Sequence, residues 1–153
     1  MTNEATQDVG LPSLGEAKRL SPEQMLATDF EQLVMLWESS GLIVHRMKER
    51  EHFLVFLAKN PGLSSVIRYK GNVIASILCG FDGMQACLYH IAVNPRYRRV
   101  KLGSKLVGRT LSWLMASKVE RCALVVRDGN TVGEAFWKSL GWCDYPGKLL
   151  LKN

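Results

Sequence analysis

The chain has no long uninterrupted hydrophobic run, although 47% of its 153 residues are hydrophobic. A helix that crosses a membrane needs roughly 18 or more consecutive apolar residues, so none is predicted and no membrane partner is expected. The first 15 residues also lack the basic stretch and the apolar stretch of a secretion signal. We therefore expect a globular protein of the cytoplasm, with a length that suits one domain.

Closely spaced cysteines are absent as well. The four cysteines are separated by 8, 35 and 21 positions, which fits neither paired metal ligands nor a dense disulfide framework. We interpret them as reduced thiols that lie mostly in the core, and we predict no metal site. The residues concerned are Cys79, Cys87, Cys122 and Cys143.

The chain carries an excess of positive charge, +6 at pH 7. Such an excess favours a polyanionic partner. The candidates are nucleic acid, a phosphorylated cofactor and an acidic membrane surface. Helix-turn-helix, zinc-finger and RNA-recognition signatures are absent. No internal repeat or low-complexity tract is present either. The position of the basic residues along the chain therefore has to decide among these partners.

The first part of the chain predicts a tail, a strand and two helices. Residues 1–21 mix glycine, proline, serine and charges without periodicity, which is typical of a flexible tail, and residues 22–153 are expected to form a single domain. A short strand is predicted near residues 24–27. Thr28 opens a Thr-x-x-Glu capping box, so a helix is expected from there to about Gly41. A second helix is expected over residues 46–59.

The rest of the domain predicts an antiparallel meander followed by alternating helices and strands. Three strands are expected over residues 63–69, 73–81 and 86–93, separated by turn residues. Apolar residues at helical spacing predict the clearest helix, over 102–118. The remaining predicted elements are a buried strand at residues 122–126, a helix at 131–140, and two final strands joined by a turn at Pro146 and Gly147.

Residues 92–104 form a predicted strand, a basic loop and a helix start, which together are suited to binding an anion. The first N–H groups of a helix have no intrahelical partner and lie at the positive end of its dipole. Gly103 is expected to let the backbone approach the anion closely. Six basic residues fall within fourteen positions here: Arg96, Arg98, Arg99, Lys101, Lys105 and Arg109.

Charge alone leaves two other interpretations of this segment open, a solvated basic helix start and a nucleic-acid patch. Tyr97 is the only aromatic residue in the loop. The scarcity of stacking side chains argues against a platform for single-stranded nucleic acid.

The run Val93-Asn94-Pro95-Arg96-Tyr97-Arg98, continued by Leu102-Gly103, resembles the acetyl-CoA pyrophosphate motif of the GNAT superfamily of N-acetyltransferases, Val-x-Pro-x-Tyr-Arg-x-x-Gly-x-Gly. Downstream, Asn130 and the segment from Phe136 to Trp142 are similar to the family's Asn-x₆-Tyr-x₃-Gly-Phe element. The order of both motifs, after a β meander, is similar to that of a bacterial branch of small acetyltransferases and covers about residues 23–150.

The resemblance implies an α/β (α+β) fold with a mixed, mostly antiparallel sheet in which residues 89–93 splay from a parallel neighbour at 122–126. Pantetheine would lie in the opening, and loop amides would hold the pyrophosphate of acetyl-CoA, with no metal. The residues implied to bind the cofactor are Ile91, Ala92, Val93, Arg98, Arg99, Val100, Lys101, Leu102, Gly103, Ser104 and Asn130.

The implied reaction is attack of a neutral amine on the thioester, with the oxyanion stabilised by fixed donors. Two positions depart from the family pattern. Lys101 replaces the first motif glycine, and Trp137 stands where the family commonly has a tyrosine that protonates the departing thiolate. An indole N–H donates a hydrogen bond but is a very weak acid.

Three further residues are candidates for proton transfer, each with an ordinary structural alternative. His90 has a reference pKa suited to a general base, but strand alternation is expected to place it opposite Tyr89, hydrogen-bonded within the sheet. Asp82 could position or deprotonate an amine, or it could simply make a turn. Tyr89 could supply the proton that Trp137 cannot, or pack in the core.

The expected function is an acetyl-CoA-dependent N-acetyltransferase that acts on an amine, either a small molecule or a protein or peptide amine. The alternative is a non-catalytic acyl-CoA-binding or regulatory protein with a degenerate acetyltransferase site. A nucleic-acid binder is a third, less favoured interpretation, and a homodimer through the terminal strands is left open.

Overall fold

The computed structural model of the protein describes residues 10–42 and 49–152. The elements follow one another as α1 (Leu14–Arg19), β1 (Glu23–Gln24), a 3₁₀ turn (Ala27–Asp29), α2 (Phe30–Ser39), α3 (Arg50–Lys59), β2 (Ser65–Tyr69), β3 (Asn72–Phe81), β4 (Ala86–Val93), a second 3₁₀ turn (Pro95–Tyr97), α4 (Leu102–Ala116), β5 (Cys122–Ala123) and α5 (Thr131–Ser139). None of the described helices is long and apolar enough to cross a membrane.

The five strands form one sheet in the order β1-β2-β3-β4-β5. The first four are antiparallel to their neighbours, and β4 and β5 are parallel. Gly71 and Gly83, both with positive φ, stand at the turns that join β2 to β3 and β3 to β4, where glycine adopts this backbone without strain. The predicted mixed, mostly antiparallel sheet flanked by helices is confirmed.

Strands β4 and β5 separate almost as soon as they meet. Their ladder consists of two residue pairs, Ala86 with Cys122 and Cys87 with Ala123. Strand β4 continues for six residues beyond Cys87 without a described partner on that side. The predicted strand over 122–126 is therefore correct only for its first two residues, because residues 124–126 run on without pairing. The result is an opening between the two strands.

Helices cover both faces of the sheet and give it two apolar cores. On one face, Leu102, Leu106 and Val107 of α4 pack with the buried Trp137 of α5. On the other face, Trp37 of α2 and the aromatic side chains of α3 form the second core. The alternating side chains of the central strands contribute to both cores, as expected for a sheet that is covered on two sides.

The segment expected to be a flexible tail contains an ordered helix, so that prediction is wrong for residues 14–19; residues 1–9 lie outside the described residues. Ser13 and Glu16 form a capping box in which each side chain accepts from the other's backbone N–H. Ala17 is fully buried in the first core. The charged residues of α1 suit its dipole, with Glu16 in the first turn and Lys18 and Arg19 in the last.

The helices on the second face begin differently from the prediction. Asp29, not Thr28, makes the capping contact, because its carboxylate accepts from the N–H of Leu26 at 2.7 Å and closes a 3₁₀ turn before α2. Arg68 donates to the same buried carboxylate and fixes this corner on the sheet. Helix α3 is described from Arg50, and the predicted start near residue 46 lies outside the described residues.

The predicted terminal hairpin is wrong. Residues 143–152 contain no strand and make no backbone hydrogen bond to the described sheet. Leu149, Leu150 and Leu151 are 66%, 86% and 80% exposed. A strand needs a ladder partner, and the two-residue β5 offers almost no paired edge for this segment to extend.

The burial pattern of α1 predicts that two aspartate substitutions differ greatly in their effect on stability. Ala17→Asp buries a charge without a partner and should lower the free energy of unfolding by about 3 kcal/mol. Gly15→Asp introduces the same charge on the open side of the helix, where an added Cβ meets nothing closer than 3.9 Å, and should change stability by less than about 0.5 kcal/mol. Urea unfolding measures both, and equal effects would contradict an ordered α1.

Candidate functional site

Strand β4 carries a bulge beside the opening between β4 and β5. Ser76 pairs with Ala92 and Leu78 pairs with Tyr89, so Ile77 alone faces two residues, His90 and Ile91. His90 has φ +49°, in the left-handed region. The extra residue interrupts the alternation of the strand. The prediction that His90 lies on the face opposite Tyr89 is therefore wrong, and both side chains lie on the α2–α3 side.

The His90 imidazole packs against the indole of Trp37, with ring centroids 4.9 Å apart. Trp37 is itself held by a hydrogen bond from its Nε1 to Ser76 Oγ at 3.0 Å. The Nδ1 atom of His90 is buried and has no hydrogen-bond partner among the described residues. Burial lowers the pKa of His90 below its usual 6.5. The imidazole is therefore neutral at pH 7 and available to accept a proton.

Tyr89 stands one residue before His90 and packs edge-on against Phe56 of α3, with centroids 6.0 Å apart. Gly80 lies beneath both rings, and a Cβ there would meet Phe56 at 3.2 Å and Tyr89 at 3.6 Å. Partial burial, followed by the neighbouring Cys87 thiol, raises the pKa of Tyr89 to about 12. The phenol is thus protonated at physiological pH and 45% exposed, so it can donate a hydrogen bond.

Asp82 makes the turn between β3 and β4. Its Oδ1 accepts from the N–H groups of Met84 and Gln85 at 2.8 and 2.9 Å. These hydrogen bonds lower the pKa of Asp82, with that from Gln85 acting most strongly. A carboxylate used in this way is a weak base, so the geometry supports the turn interpretation that the sequence had left open.

Trp137 lies in the core. It is 7% exposed, and its ring packs edge-on against Phe136 and Trp142 at centroid distances of 5.0 and 5.1 Å. The position at which a tyrosine was expected therefore holds a side chain whose contacts are aromatic packing.

The loop before α4 contains two non-glycine residues in the left-handed conformation, Arg99 at φ +68° and Lys101 at φ +65°. Lys101 occupies the place of the first motif glycine, and its backbone explains why glycine suits that place. Val100 between them is buried at 7% exposure and anchors the loop. Arg98 is extended, which continues the loop away from the second 3₁₀ turn.

The N-terminus of α4 presents unpaired donors. No side chain caps it, and no acidic residue lies in its first turn. The N–H groups of Leu102, Gly103 and Ser104 have no intrahelical carbonyl to bond, and the first such bond runs from Lys105 N to Lys101 O. Three aligned donors at the positive end of a 15-residue helix are of the kind that suits a phosphate group.

Gly103 serves the packing of the helices rather than only an approach to ligand. It is buried, and a Cβ built there would lie 3.2 Å from Phe136 Cζ of α5 and 3.8 Å from Val93 Cγ2 of β4. The missing side chain lets the start of α4 lie against α5 and β4. Any larger residue would displace Phe136, so its effect on ligand binding would be mixed with lost packing.

The remaining residues expected to bind cofactor lie on either side of the opening. Ile91 and Val93 are half-buried and point toward the α4 core, and Ala92 between them belongs to the other core. Asn130 is the N-cap of α5, where its Oδ1 accepts from Gly133 N–H at 2.9 Å. Its side-chain amide N–H groups remain as donors.

Two residues beside the site were not among the sequence candidates. Trp37 contacts His90, which lies 53 positions later in the chain. Nothing in the sequence around a helical tryptophan indicates such a distant partner. Lys18 of α1 lines a cavity with Arg99 and Lys101. The Ser13-x-x-Glu16 spacing was the signal that could have revealed its helix.

Within the described residues, 10–42 and 49–152, no group of three or more histidine, cysteine, aspartate or glutamate side chains could hold a metal ion. All four cysteines are free, with Cys79 buried, Cys87 and Cys122 half-buried and Cys143 exposed. The expectation of mostly buried thiols thus holds fully only for Cys79. Burial raises the pKa of Cys79 to about 12 and that of Cys122 to about 11, so both thiols are poor nucleophiles.

Known structures share this arrangement of elements. The fold superposes on ribosomal-protein-S18-alanine N-acetyltransferase from Escherichia coli with a TM-score of 0.66 and 22% identity, over 80% of this chain and 76% of that one. It also superposes on the PaiA N-acetyltransferase from Thermoplasma acidophilum, solved in complex with coenzyme A, with a TM-score of 0.70 and 17% identity, over 79% and 87% of the two chains. At these identities the likeness concerns the fold.

Sequence relatives agree with the fold. An acetyltransferase of Sodalis glossinidius is 28% identical over 123 residues, which are 80% of this chain and 87% of that protein. An acetyltransferase of Yersinia pestis is 25% identical over 114 residues, 74% and 81% of the two chains. The family model for the acetyltransferase (GNAT) family matches residues 27–142. The match spans most of the chain, which therefore belongs to the acetyltransferase (GNAT) family.

Proposed function

We propose that the protein is an acetyl-CoA-dependent N-acetyltransferase. The observation that carries the proposal is a free edge of β4 beside an uncapped helix start: β4 runs six residues past its last pair with β5 and ends at the loop before α4. Backbone donors and acceptors along β4 and three N–H groups at α4 are thus available on one ligand path. Membership of the acetyltransferase family supports the same assignment.

The free edge fits a long ligand with amide groups at one end and phosphates at the other. Unpaired backbone along Ile91 and Val93 would bond the pantetheine amides as a neighbouring strand does. The N–H groups of Leu102 to Ser104 would hold the pyrophosphate, with Arg98 and Arg99 adding charge. The Asn130 amide lies on the α5 side of the opening and would contact the cofactor arm.

The reaction needs a neutral amine, a fixed donor for the thioester oxygen and a proton for the leaving thiolate. The neutral imidazole of His90 is suited to accept the proton of the amine, directly or through water. A backbone N–H of β4 would stabilise the charge that develops on the oxygen. The C–N bond forms first and gives the tetrahedral oxyanion, and the C–S bond breaks as that oxyanion collapses. The protonated Tyr89 phenol is suited to supply the departing thiolate with its proton.

The acceptor amine would approach from the α2–α3 side. Tyr89 and His90 both lie on that side of β4, against Phe56 and Trp37. Asp82 is engaged in its turn, and Trp137 is packed between aromatic rings. We therefore assign proton transfer to Tyr89 and His90 alone among the four candidates.

Acetyl-CoA should stabilise the protein against heat. A ligand that binds only the folded state adds about 2.7 kcal/mol at a hundredfold excess over its Kd, which raises the melting temperature of a domain of this size by several degrees. Scanning calorimetry with millimolar acetyl-CoA measures the shift, and pantetheine without the nucleotide is the control, expected to act much more weakly. Absence of any shift would remove the cofactor from the proposal.

His90→Asn should lower kcat about 10²-fold or more while the Kd for acetyl-CoA stays within about twofold, because a positioned base contributes ~10²–10⁴-fold. Asparagine tolerates the left-handed backbone at this position, so the bulge should survive. The wild-type rate should rise with pH through a pKa below 6.5, and that limb should vanish in the variant. A substrate with a low amine pKa keeps its own ionisation out of this range.

The same variant has a stability readout. Because burial lowers the His90 pKa in the folded protein, the unfolded chain binds the proton more readily, and stability is lost as pH falls below 6.5. Between pH 7 and pH 5 the wild type should therefore lose more stability than His90→Asn. Parallel losses together with an unchanged kcat would exclude His90 as the base.

Tyr89→Phe should lower kcat about tenfold or more, because it removes the phenol and keeps the ring that contacts Phe56. Trp137→Phe is the control, expected to lower the free energy of unfolding by about 1–2 kcal/mol through lost packing and to leave kcat of the folded protein within about twofold. Coenzyme A release with a panel of amines and peptides measures both. The reverse pattern would assign proton delivery to the indole position.

A further inference from the structure

A basic cavity of about 420 Å³ lies where α1 meets the loop before α4. Four of the five residues that line it carry positive charge, and none is acidic. They are Lys18, Arg99, Val100, Lys101 and Lys105. Among the described residues, none of the four cations forms an ion pair with a carboxylate. Uncompensated cations gathered around one cavity favour an anionic ligand there.

Lys105 fixes α1 against this loop. Its Nζ donates to the carbonyl oxygens of Lys18 and Leu20, at 2.5 and 2.7 Å. A cation bonded to the last carbonyls of a helix is favourably placed in its dipole. Because the ammonium of Lys105 is engaged in this way, Lys18, Arg99 and Lys101 are the cations left for a ligand.

Two further contacts make the position of Lys18 definite. Ala17, its neighbour in α1, is fully buried in the core shared with α4. Glu16 accepts a hydrogen bond from the Tyr69 hydroxyl of β2 at 3.3 Å. The backbone of Lys18 is thus held from both sides, while its side chain stays exposed at the cavity.

Helix α1 lies before the part of the chain that the family model matches. The family match begins at residue 27, and α1 ends at Arg19. Lys18 therefore reaches the loop before α4 from outside the matched region. The motif from Val93 to Gly103 does not contain this residue, so a role for Lys18 has to be argued from its own contacts.

We propose that this cavity binds the 3′-phosphate of the coenzyme A ribose and that Lys18 determines the preference for it. The inference rests on the proposed function, which places the pyrophosphate at the N–H groups of Leu102 to Ser104. A terminal phosphomonoester carries about −1.5 to −2 charge at pH 7, more than each pyrophosphate phosphorus. It therefore gains most from point charges such as lysine ammonium groups.

The proposed pyrophosphate site and the proposed 3′-phosphate site differ in the groups that line them. Backbone N–H groups at α4 are fixed donors suited to the bridging pyrophosphate. The side chains of Lys18, Arg99 and Lys101 line the neighbouring cavity, and Arg99 and Lys101 lie three residues and one residue before that helix start. The ribose joins the two groups in the ligand, so a cavity next to the pyrophosphate site is where the 3′-phosphate arrives.

Calorimetric titration with coenzyme A and with 3′-dephospho-coenzyme A tests the assignment in three full-length proteins: wild type, Lys18→Met and Arg19→Met. Methionine keeps the apolar stem of the side chain and removes the charge. Arg19 is the matched control, because it is exposed on the same helix and does not line the cavity. Thermal melts establish that each variant is folded, and Lys18→Arg is a charge-retaining variant.

Wild type and Arg19→Met should bind coenzyme A about tenfold more tightly than the dephospho form, as charge-assisted contacts of this kind provide. Lys18→Met should weaken coenzyme A about fivefold and leave the dephospho form within about twofold, while Lys18→Arg keeps most of the preference.

If Lys18→Met weakens the binding of both ligands equally, Lys18 acts on the pyrophosphate or through the electrostatic field of the whole protein. That result would overturn the assignment. So would an unchanged preference in a variant that still binds. Failure of wild type to bind either nucleotide would refute the proposed function itself and the inference with it, and is distinguished by the wild-type titration alone.

Discussion

Beyond the pairs Ala86–Cys122 and Cys87–Ala123, β4 and β5 share no described ladder, and the rest of the site is arranged around the backbone edge that this leaves open. Buried backbone groups have to be satisfied by some partner. In the middle of a covered sheet, an edge of six residues with no strand beside it in the described part of the chain is open to a ligand that can present amides. The loop that follows β4 then leads directly into the uncapped start of α4.

The bulge in β4 decides on which face of the sheet the Tyr89 and His90 side chains lie. In a regular strand, Tyr89 and His90 would lie on opposite faces. With Ile77 facing two residues, both side chains lie toward α2 and α3, against Trp37 and Phe56. The free edge of β4 and the two candidate proton-transfer side chains are thus on the same strand, with the uncapped start of α4 beyond its end and Tyr89 and His90 on its α2–α3 side. A neutral imidazole follows from the same burial that holds it in place.

The fold was largely predictable because its main signals are local. Turn residues between β-rich runs gave the meander, and helical periodicity gave α4 nearly to its end at Ala116. The strand, the basic loop and the helix start were predicted as well, whereas phosphate binding there stays a prediction. Features that depend on contacts between distant segments were not predictable. The bulge at His90 and the two-residue length of β5 are set by neighbouring strands, and the terminal hairpin failed because no paired edge exists for it.

Helix α1 is the reverse case. Its local signal, the Ser13-x-x-Glu16 capping box, was present in the sequence, but no helix was predicted from it. A six-residue helix is unstable alone, so a capping box in a polar segment does not establish a helix without knowledge of what holds it. Here the burial of Ala17 and the two hydrogen bonds from Lys105 supply that support.

The loop before α4 combines backbone strain with positive charge. Arg99 and Lys101 both adopt the left-handed conformation that glycine takes freely, at a cost of roughly 1 kcal/mol each for residues with a Cβ. Glycine at position 101 would relieve that strain and would also remove a cation from the cavity. Under the anion binding proposed for the cavity, stability and binding therefore make opposite demands on Lys101. Val100 between the two strained positions is buried in the core, while the two cations on either side of it line the cavity beside α1.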